Sequence, residues 1–114
     1  MAIVVITPSP GALLTAIRNA IDKKEVDTWE YDNDGDFFHS PVQWRSRGWF
    51  RPYVQVGELR FGLIGPKDVV MTKDVYGVYH GRFIEMLLTH FDGSFSNVTS
   101  SAQMVKGVDH FTTG

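Results

Sequence analysis

Hydrophobic positions change their period along the chain, and each change marks an element. Ile3-Val4-Val5-Ile6 is a β-branched run closed by Thr7-Pro8-Ser9-Pro10, the pattern of a strand inside a sheet. Leu13, Leu14, Ile17, Ala20 and Ile21 then recur at helical spacing, with Arg18, Asn19 and Asp22 on the other side. Ser9 stands where a hydroxyl can cap this helix, Pro10 presets the first helical φ, and Lys23 or Lys24 suits the negative end of the dipole.

Beyond it the period falls to two. Thr28-Trp29-Glu30-Tyr31 and Phe37-Phe38-His39 predict a hairpin closed around Asp34-Gly35, with Trp29 and Tyr31 on one face. Ser40 and Gln43 have capping-box spacing, so one helical turn is expected through Trp44. Tyr53-Val54-Gln55-Val56 and Leu59-Arg60-Phe61-Gly62-Leu63 predict a second hairpin across Gly57, ended by Gly65-Pro66.

The longest periodic segment runs from about Thr72 to Phe91. Val75, Val78, Tyr79, Phe83, Met86, Leu87 and His90 form its stripe, widened by Ile84, Leu88 and Phe91. Gly77 and Gly81 lie four apart on this helix and cost about 1 kcal/mol each against alanine. Close approach by helix one, the sheet or another subunit would offset that cost. After Asp92-Gly93, the segments Phe95, Asn97-Val98-Thr99 and Gln103-Met104-Val105 read as one or two final strands.

Strands joined by tight turns favour antiparallel pairing, because parallel neighbours need a crossover after each strand. The expected fold is α+β, a mainly antiparallel sheet of about five to six strands with two α-helices packed on one face. Residues 1–105 are expected to form a single domain, and residues 106–114 a frayed tail with little to hold it.

Composition agrees with a folded domain. The chain has 114 residues, 43% of them hydrophobic and 13% aromatic, with a net charge of −2. Area scaling for this mass gives about 6,300 Å² exposed when folded, against about 18,700 Å² unfolded, enough burial for a core without staples. There is no cysteine, which excludes disulfides and thiolate metal sites. The apolar run Ala2 to Ile6 is too short for a signal peptide and lacks a basic leader, and no transmembrane span is expected, so a cytoplasmic location is. The charge balance gives no general attraction to nucleic acid or anionic membrane.

Specific chemistry is sparse. Glu30, Asp32, Asp34, Gly35 and Asp36 resemble a calcium loop in their alternation, but in EF-hand spacing the bidentate acid of the twelfth position falls on Pro41. A solvated turn is the simpler reading, and no metal is expected. His39, His80, His90 and His110 lack ligand spacing; His80 and His90 are about 15 Å apart along one helix. Thr7-Pro8-Ser9-Pro10-Gly11 lies where an anion-binding turn would, but its prolines remove backbone donors. No nucleophile elbow, Walker or dinucleotide pattern occurs, and no cofactor is implied. Asn97-Val98-Thr99 matches a glycosylation acceptor by chance only.

The most unusual stretch is Trp44 to Tyr53, where three arginines interleave with four aromatics. Arginine planes stack on aromatic faces and pair with carboxylates, so this stretch suits a contact surface made of Arg45, Arg47, Trp49 and Arg51, with His39 nearby. The plainer alternative has the aromatics packed inward and the arginines in water above them. The first functional expectation is therefore a small cytoplasmic binding or regulatory domain, of bacterial immunity type or adaptor-like, acting by protein–protein contact. The second is a small-ligand enzyme with His39 or His80 as acid–base and Asp36 or Glu85 as carboxylate partner, sited between sheet and helices. A single-stranded nucleic-acid role comes third, against the net charge. The Gly77/Gly81 face suggests a homodimer.

Overall fold

The computed structural model describes residues 3–114. In chain order the elements are β1 (Ile3–Ile6), α1 (Pro10–Asp22), β2 (Trp29–Tyr31), β3 (Phe37–His39), β4 (Trp49–Gln55), β5 (Glu58–Ile64), α2 (Lys73–Phe91) and β6 (Asn97–Ser100), with a short 3-10 turn at Asp92–Ser94. The strands form one six-stranded sheet in the order β2-β3-β4-β5-β1-β6, and every pairing is antiparallel. This is the expected α+β architecture. α1 carries the chain from β1 to the far edge, the meander β2 to β5 returns to it, and α2 leads to β6 on its other side.

The strand alternation sorts the sheet into two faces. Ile3 opposite Phe61, Val5 opposite Leu59, and the row Phe37, Phe50 and Leu63 point inward and are fully buried. Leu13, Ile17 and Ala20 of α1, and Val75, Tyr79, Phe83, Met86, Leu87 and Phe91 of α2, complete that core. The helices sit on one face because only that face is apolar in every second residue. The opposite face keeps Phe38, Trp49, Arg51, Tyr53 and Arg60 in contact with solvent.

Local details follow from backbone needs. Thr72 caps α2, its hydroxyl accepting from the Val75 N–H at 3.2 Å. Ser9 occupies the corresponding place before α1, but its side chain makes no cap bond; there Thr7 accepts from the Ser9 N–H instead. Gly57, at φ +76°, turns β4 into β5 between Gln55 and Glu58. The turn expected at Ser40 to Trp44 exists as a single loop of hydrogen bonds from the Trp44 and Arg45 amides to the Pro41 carbonyl, both 2.9 Å, without becoming a helix. His90, placed in the buried stripe by periodicity, is exposed, and His80 is buried in its stead.

Two expectations are corrected. Residues 106–114, for which a frayed tail was expected, are held: the His110 N–H bonds the Leu63 carbonyl and the Gly65 N–H bonds the His110 carbonyl, both 2.9 Å. They use the stretch of the β5 edge beyond its pairing with β1, which ends at Phe61. Asp109, 3% exposed, accepts from the Leu63 and Val105 amides at 2.8 Å each. Gly62 makes room for this segment, since a Cβ there would stand 2.0 Å from the Val108 carbonyl oxygen. The final strand at Gln103 to Val105 is likewise absent; its backbone belongs to the same docked segment. The second correction concerns Gly77 and Gly81, which have nothing within 4 Å of an added Cβ. Neither α1 nor the sheet approaches them, so among the described residues their cost has no offset.

Candidate functional site

The loop from Ser40 to Gly48 is fastened to α2 by one hydroxyl. Tyr79 Oη donates to the Trp44 carbonyl at 2.7 Å and accepts from the His39 N–H at 3.4 Å. Burial raises the Tyr79 pKa, which keeps that hydroxyl a donor. Beyond the loop, β4 alternates, so Phe50 turns into the core while Trp49, Arg51 and Tyr53 face outward. The stretch Trp44 to Tyr53 is thus both core and surface, residue by residue.

Of the residues singled out in the sequence, the structure brings Arg45 and Trp49 together. They line a cleft of about 360 Å³ with Glu30, Phe38 and Ser46 on the helix-free face. The pairing of Phe37 with Phe50 sets Phe38 beside Trp49, and the Arg45 guanidinium lies 5.9 Å from the Phe38 ring centre. Arg45 reaches Glu30 at 3.4 Å, with both side chains half exposed, so that pair holds weakly.

Arg51 is engaged elsewhere. It makes two hydrogen bonds to Asp36, 3.1 and 2.9 Å, across β3 and β4. Asp36 is 4% exposed, and its hydrogen bond raises the Arg51 pKa. Arg47 is exposed, and its charge acts on the Tyr79 hydroxyl. His39 lies on the opposite, inner face, stacked on Trp29 at 4.6 Å. Phe38 was not singled out by sequence reasoning, and Glu30 was weighed only as a calcium ligand; the hairpin register implied by Asp34-Gly35 was the signal that could have placed both beside Arg45 and Trp49.

The acidic turn does gather: Asp32, Asp34 and Asp36 offer carboxylate oxygens within 4.8 Å of one another. Asp32 and Asp36 are engaged within the fold, however. Asp32 accepts from the Asp34 and Asp36 amides at 3.0 Å each, and Asp36 is taken by Arg51. Arg18 adds a bond to the Gly35 carbonyl at 3.1 Å. The arrangement serves the β2–β3 turn.

His39 is neutral by geometry, and burial disfavours the charged form of His80. His39 Nδ1–H donates to the Thr28 carbonyl at 2.7 Å, and Nε2 accepts from Arg82 at 3.1 Å. His80 Nδ1–H donates to the Tyr76 carbonyl at 2.7 Å, its ring stacks on Tyr76 at 3.8 Å, and Nε2 has no partner among the described residues. Burial lowers both pKa values. The Arg82 charge lowers that of His39 further, while its Thr28 bond opposes; for His80 the Tyr76 bond and Asp109 oppose. Among the described residues neither ring hydrogen-bonds a carboxylate.

No family model, curated protein or solved structure matches the chain.

Two outcomes are expected. Arg51→Ala leaves the Asp36 carboxylate buried without its partner and should lower the unfolding free energy by about 1–2 kcal/mol, allowing for the exposure of Arg51; an unchanged urea midpoint would contradict this. For the histidines, lowered folded-state pKa values mean that below the unperturbed value of about 6.5 the unfolded chain binds more protons. Stability is therefore full above that value and falls as pH drops through the lowered values, and His80→Leu should flatten the fall measured by urea titration.

Proposed function

We propose that this protein is a small binding or regulatory domain of the cytoplasm, acting by protein–protein contact through the helix-free face of its sheet. One observation carries the reading: the Phe38/Trp49 pair floors an open cleft beneath an arginine that is only loosely tied. Adjacent aromatics supply apolar contact area at small cost in side-chain entropy, the property of interface anchors. Arg45 can exchange Glu30 for a carboxylate of the partner at little cost, since the internal pair is half exposed. Tyr53 continues the same face of β4, Arg51 lies between it and Trp49 but is tied to Asp36, and His39 lies on the inner face. Among the described residues no helix is long and apolar enough to cross a membrane.

The enzyme reading draws less from the geometry, because His39 and His80 bond carbonyls and a guanidinium rather than a carboxylate. Capture from the native host tests the binding reading. A protein that co-purifies with the wild-type chain should be lost with Arg45→Ala/Trp49→Ala, while the thermal midpoint stays within the range of surface substitutions. Retention by the folded double variant overturns the assignment.

A homodimer through the Gly77/Gly81 face of α2 is a second proposal about partners. Leu88, 51% exposed, continues the open line of those glycines along the helix. Light scattering at micromolar concentration should then give twice the chain mass, and a monomeric mass rejects it.

A further inference from the structure

Arg82 is a positioned cation without a carboxylate. Arg45, Arg51 and Arg60 each pair with an acid, but among the described residues no ion pair involves Arg82. Its Nη1 donates to His39 Nε2 at 3.1 Å, and its guanidinium lies 5.6 Å from the Trp44 ring centre. A neutral imidazole and an indole face orient a guanidinium but do not neutralise it, and most of its five N–H donors remain unspent. The anchor is stiff, because His39 is 2% exposed and held on its other side by the Thr28 carbonyl. A donor fixed in this way loses little freedom when a ligand arrives.

The cation borders a cleft of about 210 Å³ between α2 and the approach to β2, with Thr28, Trp29, Met86 and Thr89 in its walls. We propose that this cleft binds a small organic monocarboxylate, received by the free edge of the Arg82 guanidinium. The planar fork matches a carboxylate with two parallel hydrogen bonds. Asp27 and Glu85 also line the cleft and repel any anion, a doubly charged phosphate more than a singly charged carboxylate, so the guanidinium edge favours the single charge. The volume suits a few heavy atoms rather than a nucleotide. The site lies apart from the Phe38/Trp49 surface and does not depend on its role.

His39 reports occupancy. The charged and titratable groups around it are Arg82, Glu85 and His90 from α2, Asp27 before β2, and Tyr79, whose hydroxyl meets the His39 amide. An anion on Arg82 offsets the cation that opposes His39 protonation, so binding raises the His39 pKa.

The test is an NMR titration of the His39 ring and the Arg82 Nε–H with sodium acetate, against sodium chloride and sodium phosphate at matched ionic strength. Acetate should shift the Arg82 signal saturably and raise the His39 pKa. Phosphate should bind more weakly, Arg82→Lys should weaken the acetate response severalfold, and Arg82→Gln should abolish it. Trp49→Ala should leave the response intact, which separates this site from the contact surface. Acetate effects equal to those of chloride, persistence in Arg82→Gln, or tighter binding of phosphate than acetate would each overturn the proposal; the wild-type comparison decides even if a variant fails to fold.

Discussion

The inner face of the sheet closes on Phe83. Its ring centre lies 4.8 to 5.9 Å from those of Trp29, Phe37, Phe50 and Phe61, so one helical side chain touches rings from four strands. These tilted and edge-on contacts join area burial to preferred ring geometry. With Phe83 in place, the helical repeat dictates where its neighbours go. Tyr79, one turn earlier, reaches the 40–48 loop, His80 enters the core beside Phe50, and Arg82 emerges next to His39.

That arrangement makes the protein one-sided. Both helices are spent on the inner face, and the C-terminal segment crosses the other near Gly62, leaving Phe38, Trp49 and Tyr53 partly in water. Ion-pair chemistry then divides by burial. Asp36 with Arg51 and Glu30 with Arg45 are the same pairing of residue types. The first has a buried carboxylate with two good bonds and stabilises the hairpin junction, while the second is half exposed and free to exchange. The difference separates an arginine held by the fold from one that is loosely tied.

The histidines show the same logic on the inner side. Neither is placed to exchange protons with a carboxylate, and each has the tautomer that its carbonyl partner requires. His39 in turn orients Arg82. The position of this cation is thus set by a buried ring on the inner side, away from the Phe38/Trp49 face.

Periodicity determined most of the architecture by itself. The β-branched run at Ile3, the two hairpins around Asp34-Gly35 and Gly57, and the long helix ending at Phe91 are local patterns, and local sterics and burial suffice to read them. The antiparallel sheet with helices on one face followed from the order of these patterns. Strand order did not, nor did the fate of the tail, because Asp109 finds the Leu63 amide 46 residues away and nothing near it in the chain signals that bond. The candidate surface was half legible: the density of arginine and tryptophan pointed to Trp44 to Tyr53, but side-chain direction in a strand depends on register. Only the tertiary structure decided that Trp49 and Arg45 face a cleft with Phe38 and Glu30, that Arg51 belongs to Asp36, and that His39 belongs to Arg82, since each of those partners comes from another element.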